Sequence, residues 1–395
     1  MPFHGKNGSV IEINPINGGF TFNRPILNNG NKNFNVWGPN SKKLTLNSYP
    51  AGNASVGLYI KQYSIVEVNY NNVSSLSGGY FVEEGELWVN SAGVIQGPIQ
   101  VGNGTTAINK LYISHASTAT TVANNITVPT SSANATIGGL NTSNTHTYSG
   151  NINLNNNIVN FDEVSATGTV DFTGVISGSG GMLKIGAGLV RLSNSNTYTG
   201  TTTINAGTLQ YGAANALSNS TNVILNGGKF STGATTGYGD TVGTLTLTDN
   251  STIELGTGSH SLNFANSSAV AWTGGKTLTI TGWTNSCSGA KVFVGTDNTG
   301  LTATQLAQIT FQGFAPGASI SPVGELIPGN IVLTATGGTL LAKYSTLKAA
   351  FDAMNLSTHL GVINISVLND INEGANTAAL NQVAGITSVL IQPAG

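Results

Sequence analysis

Charge is in short supply in this 395-residue chain: 14 Lys and Arg stand against 16 Asp and Glu, together 8% of the residues. An ordinary soluble protein carries roughly 25%. The formal net charge of −2 gives no basis for an electrostatic nucleic-acid partner, which needs a basic patch or stripe. The residues that are short, Lys, Glu and Arg, are those that favour helix surfaces, so a mainly helical protein is disfavoured. Cys287 is the single cysteine, which excludes an intrachain disulfide and a cysteine-based zinc site. Stability must then come from elsewhere, such as a long continuous core. No apolar run reaches the roughly 18 residues of a membrane helix. The start, Met1-Pro2-Phe3-His4-Gly5-Lys6, lacks the apolar stretch of a signal peptide, and the other end stops just after Ser388-Val389-Leu390-Ile391-Gln392-Pro393. Both ends are read as cut, with export signals expected in the parts not present.

Glycine, by contrast, is abundant, at 52 residues or about twice the usual share, and Asn, Thr and Ser take the place of charge. The hydrophobic fraction is 39% and alternates with polar residues, which argues against disorder. Thr244-Leu245-Thr246-Leu247-Thr248 and Thr277-Leu278-Thr279-Ile280-Thr281 put Leu or Ile on one face and Thr on the other. Val223-Ile224-Leu225, Thr203-Ile204-Asn205 and Ile152-Asn153-Leu154 are similar short strands, and Asn226-Gly227-Gly228, Asn205-Ala206-Gly207 and Asp249-Asn250 supply turns. Strands this short over roughly 300 residues, without a long helix, imply an all-β sandwich, barrel or solenoid.

Self-similarity selects the solenoid. Thr147-Tyr148-Ser149-Gly150 leads into Asn151-Ile152-Asn153-Leu154, and Thr197-Tyr198-Thr199-Gly200 leads into Thr201-Thr202-Thr203-Ile204-Asn205. A repeated strand-and-turn unit stacks on copies of itself, giving one apolar column inside. Backbones then pair about 4.8 Å apart. With roughly 20–25 residues per turn, the first part of the chain makes a rod of order 65–80 Å. Like charges repeated in register would repel, whereas Asn and Thr form favourable ladders.

Residues 342–354 change the pattern. Leu347, Ala350, Phe351 and Met354 fall on one apolar face of a helix expected over Ala342–Met354. Strands are expected again at 362–368 and 388–391, and a short helix at Thr302–Ile309. Gly337-Gly338-Thr339 is read as a boundary. The domains are then residues 1–338, a β-solenoid, and 339–395, the truncated start of a second β-rich domain opening with the short amphipathic helix.

One segment carries a family pattern. Gly180-Gly181-Met182-Leu183-Lys184-Ile185-Gly186-Ala187-Gly188, then Leu189-Val190-Arg191-Leu192-Ser193, Asn196-Thr197-Tyr198-Thr199-Gly200, and Ile204-Asn205-Ala206-Gly207-Thr208-Leu209 resemble the autotransporter passenger-associated β-strand repeat. The match is clearest over 180–210, and the copy at 147–154 is degenerate. Residues 272–283, 300–311 and 324–328 are similar to the segment that often closes such arrays. The resemblance implies an all-β fold, a right-handed parallel β-helix, in a bacterial protein that is secreted or held at the cell surface. The chain departs from the family in having no C-terminal membrane barrel.

A search for chemistry starts with carboxylates, since glycosidases set two of them about 5–9.5 Å apart. The close pairs are Glu83-Glu84 with Glu86, and Asp162-Glu163. No Arg or His lies near the first group in sequence; Lys61 and His115 are more than 20 residues away, and Glu84-Gly85 reads as a solvated turn between strands. The histidines His4, His115, His146, His260 and His359 form no ligand spacing. Gly237-Tyr238-Gly239-Asp240 is an isolated fragment of a calcium-binding repeat and reads as a loop. Asp249-Asn250 and Asp297-Asn298 read as turns. Cys287 has no neighbouring His and reads as an ordinary thiol. Gly178-Ser179-Gly180-Gly181 lacks the Lys-Ser/Thr of a phosphate loop. Thr244, Thr246, Thr248, Thr277, Thr279 and Thr281 form a face of the kind some ice-binding solenoids use, and Tyr59, Tyr63, Tyr70 and Trp88 are candidates to stack on sugars. For both sets an ordinary strand or corner role is favoured.

The sequence therefore assigns no catalytic, cofactor-binding or metal-ligating residue and implies no cofactor. It reads as a non-catalytic stalk or adhesin-type passenger, extracellular or on the bacterial surface. The partners expected are surface glycans or proteins and further domains of the same polypeptide, with no nucleic acid and no membrane insertion by this chain. The alternatives are a carbohydrate-active β-helix enzyme and a scaffold presenting a ligand-binding domain.

Overall fold

The computed structural model describes the chain apart from residues 1–10, 14–19, 24–32, 38–42, 48–56, 70–75, 77, 91–94, 96, 106, 117, 285–288, 315–316, 330, 345, 368–378 and 394–395. Parallel sheets stack as a β-solenoid of about 13 turns, and among the described residues only about 4% are helical. The chain divides into two compact units, Met1–Ser231 with Asp240–Gly243, and Thr232–Gly239 with Thr244–Gly395.

In the first unit, period-two alternation becomes three stacked sheets. The first sheet runs from Ile11–Ile13 to Ile176–Ser177 and the second starts at Phe20–Phe22. The third joins from Thr121–Val122 onward. All pairings among them are parallel and in register: Phe34 with Leu58, Leu58 with Tyr80, Tyr80 with Ile99, Ile99 with Ile126. One turn thus takes 19 to 27 residues. Inward side chains form columns such as Leu44, Val66, Leu87, Leu111, Ile137 and Phe161, all fully buried. Each large apolar side chain so buried contributes about 1.5–3 kcal/mol, and it packs above and below as well as across.

The polar exterior also stacks. Asn47 donates from Nδ2 to Asn23 Oδ1 at 2.7 Å, and Asn69 to Asn47 Oδ1 at 2.9 Å. Asn226 does the same to Asn205 at 2.9 Å. Charge follows a rule the sequence reading did not anticipate. Instead of simply being avoided, it is placed with alternating sign on successive turns: Lys43–Glu67 at 2.9 Å, Lys61–Glu83 at 3.0 Å, Lys110–Glu86 at 2.9 Å and Arg191–Asp171 at 3.5 Å. Stacking that would make like charges repel makes opposite charges attract.

In the second unit, Ser251–Glu254, Leu278–Thr281 and Ile309–Phe311 pair in parallel, as do Ser261–Phe264 and Lys291–Val294. The helix expected near Thr302 is present as Ala303–Ala307, held by a capping box between Thr302 and Gln305. The Thr alternations do not make one face: Leu278–Thr281 stacks with Ser251–Glu254, whereas Leu245–Asp249 belongs to a different sheet.

A four-stranded mixed sheet, in the order Leu341–Tyr344, Ile331–Gly338, His359–Val367, Ile386–Pro393, follows. It already includes Ile331–Gly338, which begins before Gly337-Gly338-Thr339 and runs into it. The second expected helix is shorter than its pattern. Leu341–Tyr344 is a strand antiparallel to Ile331–Thr334, and the helix is Leu347–Asn355, because Thr346 caps it by accepting from the Ala349 N–H at 3.1 Å. Its apolar face behaves as read: Ala350 and Met354 are buried with Ile331, Leu333, Ile363 and Ile365, and Leu347 and Phe351 pack against them.

Candidate functional site

The densest set of titratable groups lies where the second sheet turns toward the third. Strand Ile158–Glu163 carries Val159, Phe161 and Glu163 inward, so Glu163 enters the core in phase with two apolar residues. On the next turn Lys184 occupies the inward column between Phe161 and Ile204, while its neighbours Leu183 and Ile185 face outward and are only half-buried. Glu163 and Lys184 are both fully buried.

The Lys184 ammonium donates to three carbonyls that close adjacent turns: Ile185, Gly186 at 2.9 Å and Ala206 at 3.1 Å. Glu163 Oε1 accepts from the Ser165 N–H at 3.1 Å, but Oε2 has no hydrogen-bond partner, and neither has the buried Asn141 Oδ1. Glycines make room for the carboxylate. A Cβ at Gly188 would stand 2.3 Å from Glu163 Cγ, and one at Gly168 2.4 Å from Oε1. Burial pushes the Glu163 carboxyl up to about 7 and, against the pull of Asp162 and Glu163, holds the Lys184 ammonium down to about 8.

Asp162 points the other way. Its Oδ2 accepts from the Tyr112 hydroxyl at 2.7 Å, a bond that crosses two turns. It passes Gly138 on the intervening turn, where a Cβ would meet the Asp162 carbonyl oxygen at 2.0 Å. His146 fills an inward position stacked on Val170. Its Nδ1 accepts from the Thr120 N–H at 3.3 Å, its Nε2 lacks a partner, and burial lowers it to about 4.

The sequence singled out Asp162-Glu163 but not its neighbours. Strand phase was the available signal, since Glu163 continues Val159 and Phe161, and Lys184 continues Met182. The other carboxylate group is placed differently. Glu83 and Glu84 lie between the strands Gly79–Val82 and Gly85–Val89, as the turn reading had it. The distance in sequence to lysines was misleading, because one turn of solenoid separates neighbours in space by about 20 residues. Lys61 pairs with Glu83, and Glu86 is held by Lys110 and by the Trp88 indole N–H at 2.8 Å.

The remaining candidates are separate. Asp240 is a buried carboxylate, not a plain loop residue. It accepts from the Leu217 N–H at 2.9 Å and lies beside Tyr211, with burial raising its proton affinity. His115 accepts from the Thr118 N–H, His260 bonds Thr232, and His359 is buried between Tyr344 and the Thr339 carbonyl. Asp249 pairs with Lys276, and Asp297 caps its own turn through Thr299. Tyr59 stacks on Phe81 with centroids 4.4 Å apart, Tyr63 is exposed and Trp88 is half-buried. His4, Tyr70 and Cys287 lie outside the described residues. Among the described residues no group of three His, Cys, Asp or Glu is placed to hold a metal, and no helix is long and apolar enough to cross a membrane.

A Lys in the core tied to turn carbonyls, glycines packed on a carboxylate and stacked parallel strands define a β-solenoid with a specialised corner. The family described as passenger-associated-transport-repeat matches residues 182–210, the segment that supplies Lys184, Gly186, Gly188 and Ala206. Repeat and solenoid together fit an autotransporter passenger domain, and that repeat family points to an extracellular or surface location. No curated protein and no solved structure matches the chain.

Proposed function

We propose that the chain is a non-catalytic stalk of adhesin type, a self-stacked passenger that holds other domains away from a bacterial surface and offers its Asn/Thr-rich faces to a partner. The observation that carries this reading is how its ionisable groups are used. Glu83 and Glu86 are engaged in ion pairs between turns, and Glu163 and Lys184 are sealed in the core, where they touch no solvent. A hydrolytic pair needs two carboxyls converging on an accessible bond; Glu83 and Glu86 are instead tied to lysines of neighbouring turns.

The test uses the purified chain. Glu84→Gln and Glu86→Gln are expected to leave any polysaccharide-degrading activity unchanged, and binding to host or bacterial surfaces is expected to be insensitive to chelators. A rate loss of a hundredfold or more in either variant would favour the carbohydrate-active enzyme, since removing a general acid or base costs on the order of 10²–10⁴.

A further inference from the structure

The outer face of the first sheet carries a straight row of neutral polar side chains. Gln100 pairs with Thr127, Thr127 with Asn153 and Asn153 with Ser177, so one such residue is presented every turn, about 4.8 Å apart. Thr127 and Asn153 are exposed, and Gln100 and Ser177 half-buried. From Leu111 to Phe161 the chain contains no Asp, Glu, Lys or Arg. Where this row meets the corner, a shallow, wide-open depression of about 520 Å³ runs across three successive turns, lined by Thr130, by Asn153, Asn155 and Asn156, and by Ser177 and Ser179.

The depression is held in shape by bonds that leave other polar atoms unused. Asn155, at φ 50°, donates from Nδ2 to the Val128 carbonyl at 2.6 Å and from its N–H to Asn153 Oδ1 at 2.8 Å. Ser179 donates to the Asn155 carbonyl at 3.2 Å. Gly178, at φ 114°, closes the rim, and a Cβ there would stand 2.7 Å from the Asn155 N and O atoms. Asn153 Nδ2, the Asn156 amide and the Thr130 hydroxyl remain for a ligand.

We infer that this row and depression form a binding site for an extended, uncharged oligosaccharide. Amides and hydroxyls offer donors and acceptors in pairs, which suits neighbouring sugar hydroxyls. No charge is present to select an ionic ligand, and no apolar pocket to anchor a peptide side chain. Ile176–Ser177 is the last strand of this sheet, but its outer side is taken by the next turn, through the Thr197 N–H to the Ile176 carbonyl at 2.9 Å and the Thr199 N–H to the Gly178 carbonyl at 3.1 Å, so no free edge is open for a peptide to extend. The inference rests on the adhesin-type reading and names the chemistry of its partner.

The test measures binding of the purified chain to immobilised neutral and acidic oligosaccharides at two salt concentrations, alongside binding to intact cell surfaces. Neutral oligosaccharides are expected to bind with little salt dependence. Thr127→Arg, which places a bulky cation in the row, and Asn156→Ala, which removes one exposed amide, are each expected to weaken binding about tenfold or more, with thermal unfolding midpoints unchanged. Absence of neutral-sugar binding, binding equal in both variants, or salt-sensitive binding of acidic sugars alone would overturn the site. Cell-surface binding that persists in any of those cases would leave the adhesin reading standing. Loss of both would overturn the two together.

Discussion

Glu163 and His146 are titratable groups placed in an apolar interior, and their effects on stability have opposite sign. Burial raises the folded Glu163 carboxyl from 4.5 to about 7. Between those values the folded chain holds a proton that the unfolded chain has released, so stability falls as pH rises through this window, by up to about 3 kcal/mol. Burial lowers the folded His146 from 6.5 to about 4. There the unfolded chain holds the extra proton, and stability falls as pH drops from 6.5 toward 4. The two trends oppose each other between 4.5 and 6.5. Glu163→Gln removes the first and supplies an N–H where Oε2 and Asn141 Oδ1 have no partner. It is therefore expected to raise the unfolding midpoint relative to the native chain at pH 7.5 and less, or not at all, at pH 5. Thermal scans at the two pH values check this, and a pH-independent difference would contradict it.

At the scale of the element, the repeat at 182–210 is a turn with its own internal tie. Lys184 satisfies three carbonyls from two turns, and the glycines let the chain close around Glu163. Lys184→Met keeps the volume and removes all three bonds. With buried carbonyls losing their donor at roughly 1–3 kcal/mol each, partly offset by relief of a desolvated charge, a net loss of about 3 kcal/mol is expected. Equilibrium denaturation measures it. The half-buried ion pairs between turns are different in kind. Lys61→Ala breaks a pair that water still reaches on both sides and lifts the ammonium off the Trp37 and Tyr59 rings, and its expected cost is about 1–2 kcal/mol.

At the scale of the molecule, stacking makes each turn depend on its neighbours. Leu87 lies between Val66 and Leu111 in one buried column. Leu87→Ala opens a void that both neighbours line, with an expected loss of about 2–5 kcal/mol. Hydrogen exchange is expected to speed up in the strands Ser64–Val68 and Asn109–Ile113 as well as in Gly85–Val89. Protection lost in the mutated strand alone would contradict nearest-neighbour stacking.

Much of this was legible in the chain itself. Alternation at Val223–Leu225 or Thr277–Thr281 marks strands because successive side chains of a strand take opposite faces. The repeated turns after Tyr148 and Tyr198 mark a solenoid because a unit that recurs can stack on itself. The Leu347, Ala350, Phe351, Met354 face marks a helix, although its start had to wait for Thr346 to act as cap and for Leu341–Tyr344 to find a strand partner. What only the tertiary structure decided is which residues meet across turns. Lys61 beside Glu83, Tyr112 reaching Asp162 past Gly138, and Asn153 in line with Thr127 and Ser177 are separated by one or two whole turns of chain. Those separations vary from 19 to 27 residues per turn because turn lengths differ, so no fixed spacing in the sequence encodes them. The stacking register of the backbone does.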